Sequence, residues 1–261
     1  MKNILMLPIQ ASTQSAAIDH IIVLVHWLML IMFVGWISYF LYTIFRFRSS
    51  KNTKASYHGV KTHFSSYLEI GLVLIEVFLL VGLSIPFWQN VVTAFPPAEK
   101  ALTVRVVAQQ FAWNVHYPGK DGRFGKTNSS FVNSQTNPIG LDPQDPYGKD
   151  DILTVNQLNV PINKPVIVRL SSLDVIHCFG IPLMRLKQDV LPGMKIPTWF
   201  EATKLGTFEI MCAQLCGVGH YRMRGFVNVM KPEDFKSWMT EQEELLLEEA
   251  EADDSEDDFW S

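Results

Sequence analysis

Two long apolar runs near the start of the chain constrain its fold most strongly. Residues 21–45 carry His26 as the single group that titrates near neutral pH, and residues 70–88 carry Glu76 as the single charged group. About 20 apolar residues suffice to cross the hydrocarbon core of a bilayer. We therefore predict transmembrane helices over 21–45 and 70–88, preceded by an N-terminal segment over 1–20.

The loop between the two runs predicts the orientation of this helical hairpin. It spans residues 46–69 and carries five Lys and Arg before its first acidic residue, Glu69. Short loops rich in basic residues stay in the cytoplasm. The lipid bilayer is thus one expected partner, and everything after Trp88 is expected on the outer, periplasmic side.

Charge is unevenly divided along the chain, although the net charge is only −4. Residues 241–261 contain eleven Asp and Glu and no Lys or Arg, so the remainder is mildly basic. Such a run is typical of a solvated end, and it could also attract a basic partner. Apolar residues recur at helical spacing after Pro232. We predict a short helix over 232–250 and an acidic tail over 251–261.

The region after residue 100 favours β-structure. Several runs alternate or stay apolar over strand length: they are 102–108, 152–158, 165–170, 197–201, 206–211 and 225–230. The stretch 117–150 is rich in Gly, Pro, Asn and Asp, and it predicts a long excursion between strands, a kind of loop that is often functional. Short strands with polar turns favour an all-β sandwich, which we place at 95–231.

Sulfur and imidazole donors cluster near the end of the sandwich. The segment M-C-A-Q-L-C-G-V-G-H-Y-R-M-R-G supplies four donors and D-V-I-H-C-F one more: they are Cys212, Cys216, His220, Met223 and His177. Thiolate, imidazole and thioether suit copper. A one-copper electron-transfer site needs one cysteine. Two cysteines can instead bridge two copper ions, with one histidine capping each.

Two other interpretations of the same residues stay open. Two cysteines and two histidines are an ordinary tetrahedral zinc set, although the thioether of Met223 adds nothing to a closed zinc site. A disulfide between Cys212 and Cys216 would leave His220 and Met223 without an explanation.

At this point the chain resembles cytochrome c oxidase subunit II. The resemblance rests on C-x-x-x-C-x-x-x-H-x-x-M, the membrane hairpin and the upstream D-V-I-H, and it covers nearly the whole chain. It implies a cupredoxin-like sandwich in a multi-pass protein of a bacterial inner membrane. The implied function is to accept electrons from cytochrome c or a similar carrier at a two-copper centre. Haem in subunit I would receive them, for oxygen reduction coupled to proton transfer, and no nucleic-acid partner is expected.

The resemblance also implies the copper ligands. They are the side chains of His177, Cys212, Cys216, His220 and Met223 and the backbone carbonyl of Gln214. Many members have glutamate where this chain has Gln214, and that carboxylate helps to hold magnesium at the boundary with subunit I. A neutral amide is a weaker ligand, so magnesium is in doubt here whereas copper is not.

Further roles are implied for residues around the centre. In Q-Q-F-A-W, Phe111 stands where the family's electron-accepting aromatic usually lies, and Trp113 is retained; core packing is the alternative for both. Asp174 and Asp189 match acidic positions near the carrier-docking face or the subunit boundary, or they are solvated turn residues. Arg222 and Arg224 could contact haem propionates or carboxylates of subunit I.

Proton uptake is implied for one or two membrane residues. Glu69, at the cytoplasmic end of the second helix, matches a glutamate at the mouth of a proton channel, or it is an interfacial residue favoured by the helix N-terminus. Glu76 lies one heptad deeper, where a carboxyl group needs protein or water around it. His26 is better explained as a hydrogen-bonded residue between helices.

Related functions are not all excluded. Quinol oxidase subunits lack the copper-binding cysteines, and the absence of C-x-x-C-H excludes a covalently fused cytochrome c domain. A nitric oxide reductase with the same copper module stays open, because its catalytic subunit is another polypeptide. So does a membrane-tethered cupredoxin that works alone, although the two-helix hairpin and Glu76 favour a partner.

Overall fold

The computed structural model describes residues 5–52, 54, 57–58 and 61–259, with residues 90 and 249–259 described by their backbone alone. The chain forms two compact units. One consists of Met1–Leu7 with Ala17–Ala94, and the other of Pro8–Ala16 with Phe95–Ser261. The first unit is helical and the second is the β-sandwich.

The helical unit contains two helices that are long and apolar enough to cross a membrane, each with a mean hydropathy of 2.4. The first is α1, Ser15–Phe47. The second runs from Phe64 to Thr93 as α2, Phe64–Val77, a π-helical segment, Phe78–Ser84, and α3, Ile85–Thr93. Both exceed the predicted spans 21–45 and 70–88, because helical hydrogen bonding continues into the polar flanks.

The π-helical segment ends two residues before Pro86, which is the second residue of α3. A proline inside a helix lacks the N–H donor, and its ring collides with the carbonyl one turn earlier. A wider π turn at that point moves the carbonyl aside. The long second helix therefore passes its proline without ending.

The sandwich unit consists of two five-stranded sheets, so the predicted fold class is confirmed. Its strands are β1 Leu102–Gln109, β2 Ala112–Tyr117, β3 Ile152–Val155, β4 Gln157–Pro161, β5 Pro165–Ser172, β6 His177–Ile181, β7 Leu186–Val190, β8 Ile196–Glu201, β9 Gly206–Cys212 and β10 Arg224–Met230. The orders are β3-β2-β1-β5-β8 and β4-β10-β9-β6-β7. Large buried side chains such as Trp113, Phe179 and Phe200 fill the space between the sheets.

The single strand predicted over 152–158 is wrong, because the chain changes sheets in the middle of it. Asn156 has a positive φ of 59° and separates β3 in one sheet from β4 in the other. Asparagine tolerates this left-handed conformation better than most residues. Its side-chain oxygen also accepts the N–H of Trp113 at 2.9 Å, and its carbonyl accepts the N–H of Phe226 at 2.8 Å. Asn156 thus joins both sheets.

The predicted long excursion is present between β2 and β3, and a buried hydrogen bond between a histidine and an aspartate anchors it. The Nε2 atom of His116 lies 2.6 Å from Oδ2 of Asp151, and both side chains are fully buried. The same carboxylate oxygen accepts the N–H of Gly125 at 2.7 Å, and Arg105 donates to the Gly125 carbonyl at 3.2 Å. The loop is therefore fastened to the sandwich at its start and at its end.

The segment before α1 belongs to the sandwich unit rather than to a separate N-terminal segment 1–20. Ala11 donates its N–H to the Leu183 carbonyl and accepts from the N–H of Thr203, both at 2.9 Å. Ser12 forms an isolated antiparallel bridge with Ala202. These residues extend the sheet edge next to β8, and Ala11 is completely buried.

A serine-to-alanine change at position 12 tests this attachment. The Ser12 hydroxyl donates to the Met184 carbonyl at 2.7 Å from a buried position. We expect Ser12→Ala to lower the unfolding free energy of the sandwich unit by about 1 kcal/mol. Thr13→Ala, at the exposed neighbour, is the control and should change it by less than about 0.5 kcal/mol. Equal effects of the two changes in urea unfolding would contradict the attachment.

The C-terminal helix α4 spans Pro232–Phe259, longer than the predicted 232–250, so most of the predicted tail 251–261 is helical. Glu233 and Asp234 lie in its first turn, where acidic groups stabilise a helix. Trp238 packs edge-on against Tyr117 at a ring separation of 5.1 Å and fixes the helix to the sandwich. Glutamate and alanine, which favour helix, explain its continuation.

Candidate metal centre

The predicted donors meet at one end of the second sheet. Strands β6 and β9 are antiparallel neighbours, with Phe179 opposite Cys212. His177 begins β6 and Cys212 ends β9, so the pairing brings both residues to the same end of the sheet. The loop 213–223 then contributes Cys216, and its last residues return to β10.

The distances between the donor atoms are short. The Sγ atoms of Cys212 and Cys216 lie 3.8 Å apart. The Nδ1 atom of His177 lies 3.9 Å from the first sulfur, and that of His220 lies 3.5 Å from the second. Met223 Sδ is 3.7 Å from the Cys216 sulfur. Each histidine thus approaches a different sulfur of the thiol pair.

The centre is shielded from water on most sides. His177 is fully buried, and Cys212, Cys216 and Met223 have 6%, 4% and 2% of their surface exposed. His220 is half-buried. Low exposure to water disfavours separate charges on the ionisable groups of the centre, unless a cation is bound.

A carboxylate orients the first histidine. Asp174 Oδ1 lies 2.8 Å from Nε2 of His177, so the other ring nitrogen, Nδ1, faces the sulfurs. Burial opposes protonation of His177, but its hydrogen bonds with Cys212 and Asp174 raise its pKa. Burial likewise opposes ionisation of Asp174, yet the hydrogen bond from His177 and two backbone N–H groups lower its pKa. A carboxylate behind a histidine is typical of metal sites.

The two thiols differ in acidity. Burial alone would raise the pKa of Cys212, but hydrogen bonds with His177 and with the backbone of Cys178 lower that pKa to about 6. Burial raises the pKa of Cys216, and so does its contact with Cys212. Cys212 therefore ionises first, and a thiolate is the form that binds metal.

The turn between β1 and β2 covers the ligand loop. The half-buried ring of Phe111 lies against the loop so closely that a Cβ atom at Gly219 would come within 2.4 Å of it. The guanidinium of Arg222 lies 5.8 Å from the centre of the same ring. The sequence therefore needs glycine at position 219 for the turn and the loop to pack together.

Comparison with known proteins identifies the family. The model of the cytochrome c oxidase subunit II periplasmic domain matches residues 102–230. An alternative cytochrome c oxidase subunit 2 of Bradyrhizobium diazoefficiens is 36% identical over 233 residues, covering 88% of this chain and 82% of that protein. The chain belongs to the cytochrome c oxidase subunit II family. A subunit 2 of Cereibacter sphaeroides is 29% identical, covering 82% of this chain and 75% of the relative.

A solved structure was also matched. The periplasmic domain of cytochrome oxidase subunit II of Bradyrhizobium japonicum is 30% identical. The match covers 58% of this chain and 98% of that domain, with a TM-score of 0.42. As a subunit II, the chain is one component of an oxidoreductase complex and has a partner subunit.

Trp113 lies behind the centre. Its side chain is completely buried, which fits the alternative of core packing, and its role at electron entry stays a prediction. Its ring instead packs edge-on against His177, at 6.2 Å, and against Phe179, at 5.3 Å. Trp113 thus packs directly against one of the predicted ligands, and both Phe111 and Trp113 remain predicted electron-accepting aromatics.

The acidic residues predicted to dock a carrier have partners within the subunit. Asp174 accepts the N–H of Gln110 at 2.7 Å and that of Val175 at 2.6 Å, besides its bond with His177. Its side chain is 29% exposed. Asp189 is exposed on β7, opposite Cys178. Burial and Asp189 together raise the pKa of Cys178 to about 12.

The remaining predicted residues keep their roles as predictions. The Gln214 carbonyl lies 3.1 Å from the Cys212 sulfur and the residue is exposed, and its roles at a copper and at a magnesium site stay predictions. Glu69 and Glu76 are exposed on α2, about 10 Å apart along the helix. His26 bonds through Nδ1 to the Ile22 carbonyl of its own helix at 2.7 Å.

Arginines beside the centre line an open pocket. Arg222 and Arg224 are both exposed, and they share a pocket of about 520 Å³ with Glu209 and Tyr221. The pocket reaches His220 at its inner side. The predicted contact of these arginines with a carboxylate of subunit I or a haem propionate stays a prediction.

Sequence reasoning missed one contact at the centre. The side chain of Gln110 donates through Nε2 to the Cys216 carbonyl at 2.6 Å. The signal that could have found it is the pair of glycines at 217 and 219, because small residues between two ligands indicate that another chain segment approaches them closely.

Proposed function

We propose that this subunit II accepts single electrons from a cytochrome c at a two-copper centre and passes them to haem in subunit I. Oxygen would be reduced in the partner subunit. The proposal places the sandwich on the outer face of a bacterial inner membrane, where a soluble carrier can reach it. The basic loop between the membrane helices supports that orientation.

One observation carries the proposal: two free thiols 3.8 Å apart, each approached by a different histidine. A pair of thiolates at this spacing can be shared by two metal ions, and one imidazole remains for each ion. The thioether of Met223 and the carbonyl of Gln214 add one weak donor beside each sulfur. This mixture of soft sulfur and nitrogen donors fits copper.

The zinc and disulfide alternatives fit less well. A structural zinc ion uses four strong donors at one point, whereas the two histidines here approach different sulfurs. A thioether within 3.7 Å of Cys216 has no purpose beside zinc. Cys212 and Cys216 are free thiols, and their sulfurs keep the separation of two unbonded ligands.

The residues that would hold copper are His177, Cys212, Cys216, His220 and Met223, with the Gln214 carbonyl. When bound, a two-copper centre would store one electron that both ions share, and the bond lengths would change little. Around it, Asp174 keeps Nδ1 of His177 directed at the sulfurs. Trp113 and Phe179 exclude water behind that ring. Phe111 covers the ligand loop on the side of the β1–β2 turn.

Mixing experiments test the proposed electron transfer. The full-length chain, loaded with copper and oxidised in detergent, is mixed anaerobically with a reduced soluble cytochrome c. We expect oxidation of one cytochrome c per chain, at a rate that depends on salt because charged surfaces steer the encounter. Failure of the copper-loaded chain to oxidise any cytochrome c would contradict the proposed function.

The carboxylate behind His177 gives a prediction of its own. Removing the partner of a ligating histidine typically weakens metal binding by about 10–100-fold. We expect Asp174→Ala to weaken copper binding by that factor, because His177 loses the contact at 2.8 Å that fixes its ring. Asp189→Ala is the matched control and should leave copper affinity unchanged. Competition with a copper chelator measures both, and equal affinities for both variants would refute the positioning role.

A further inference from the structure

We propose that Gln110 is a positioning residue that fastens the ligand loop 213–223 to the segment holding His177. The proposal deepens the proposed function, because it assigns a residue that sets the spacing of the donors. It concerns hydrogen bonds within the chain, so it can be tested with and without copper.

Gln110 contacts both halves of the centre. Its side-chain amide donates to the Cys216 carbonyl at 2.6 Å, and its backbone N–H donates to Asp174 Oδ2 at 2.7 Å. The other oxygen of Asp174 is bonded to His177 at 2.8 Å. One residue of the β1–β2 turn therefore connects the loop that carries Cys216 with the carboxylate that orients His177.

Close packing accompanies these hydrogen bonds. A Cβ atom at Gly217 would lie 2.6 Å from Nε2 of Gln110, and one at Gly219 would lie 2.4 Å from the Phe111 ring. Gly217 also has a φ of 133°, a conformation that other residues rarely adopt. The loop is thus built to lie directly against the turn, with Gln110 as its polar contact.

The consequence is a centre whose two halves are held together by protein contacts. Cys212 and His177 are fixed by the pairing of β9 with β6. Cys216 and His220 lie in the loop, outside any strand, where the sheet cannot hold them. The ends of the loop are bonded to β6 and β9, and Gln110 adds a hydrogen bond in its middle, at the Cys216 carbonyl. Donors held at fixed spacing are what a site with little rearrangement needs.

The test compares Gln110→Ala and Gln110→Glu with Gln109→Ala, all in the full-length chain in detergent. Glutamate keeps the length of the side chain but has no amide donor for the Cys216 carbonyl. Gln109 is the last residue of β1 and directly precedes Gln110, and its backbone pairs with Ala112. It therefore controls for general effects of changing the turn.

The first measurement is hydrogen exchange of the metal-free protein, followed by mass spectrometry. In both Gln110 variants, the backbone amide hydrogens of residues 213–223 should exchange about two- to tenfold faster than in the wild type, as expected for the loss of one hydrogen bond. The Gln109 variant should match the wild type. Unchanged exchange of this loop in both Gln110 variants overturns the proposal, whether or not the chain binds copper.

The second measurement is the absorption spectrum and reduction potential after copper loading. We expect the spectrum and the potential to change in both Gln110 variants and to stay unchanged in Gln109→Ala. Faster exchange with an unchanged spectrum and potential would overturn the positioning role and leave a purely structural contact. A wild type that takes up no copper would instead refute the proposed function, while the exchange experiment still decides whether Gln110 holds the loop.

Discussion

Replacing Cys216 by serine is expected to abolish two-copper binding while the sandwich stays folded. A hydroxyl is a poor ligand for copper and cannot bridge two ions as a thiolate does. Loss of a direct ligand should exceed the roughly 10–100-fold effect of losing a residue behind a ligand. Cys216 lies in a loop, so no strand pairing depends on its side chain. Copper content and the visible spectrum measure the result.

The third cysteine provides the matched control for this change. Cys178 is a buried free thiol on β6, and Asp189 is the residue opposite it. Cys178→Ser is expected to keep two copper ions and the wild-type spectrum. Circular dichroism tests whether both variants are folded. Retention of the two-copper spectrum in Cys216→Ser would contradict the proposed role of that sulfur.

Replacing Asp151 by alanine is expected to have the largest effect on stability. The carboxylate is fully buried against His116, at 2.6 Å, and it accepts the N–H of Gly125. Removing the carboxylate leaves the buried His116 ring and the Gly125 N–H without this partner, and each such buried group costs about 1–3 kcal/mol. We therefore expect the unfolding free energy of the sandwich unit to fall by about 2–6 kcal/mol. Urea unfolding, followed by tryptophan fluorescence, measures it.

The same loop contains a suitable control for Asp151. Asp121 is exposed, and its carboxylate accepts only the local N–H of Arg123 among the hydrogen bonds described for its side chain. Asp121→Ala should change the unfolding free energy by less than about 0.5 kcal/mol. Proteolysis should cut within residues 118–150 faster in Asp151→Ala alone. A loss below about 1 kcal/mol in Asp151→Ala would show that the pair does not anchor the loop.

Much of the architecture follows from local sequence patterns. Two long apolar runs predict the membrane helices because each is long enough to cross the hydrocarbon core of a bilayer. Strands such as β1 and β5 are apolar or alternating over their full length, so their prediction needs no knowledge of partners. The donors of the centre were predictable because thiols and histidines at short spacing have few structural uses.

Other elements depend on contacts between distant segments. β2 and β6 are buried almost throughout, yet they contain polar residues whose partners come from elsewhere. The change of sheet at Asn156 needs Trp113 and Phe226 as neighbours. The attachment of Ala11 to the sandwich cannot be inferred from the ordinary composition of the segment Pro8–Ala16. Gln110 acts through a residue more than one hundred positions away.

We propose that Cys212 and Cys216 together would hold two copper ions. The most direct test is metal analysis together with electron paramagnetic resonance of the full-length chain, purified in detergent and loaded with copper. The proposed function predicts two copper ions per chain and, after one-electron oxidation, an unpaired spin shared equally by both nuclei. A single copper with a localised spin, or a tightly bound zinc ion that copper does not displace, would contradict it.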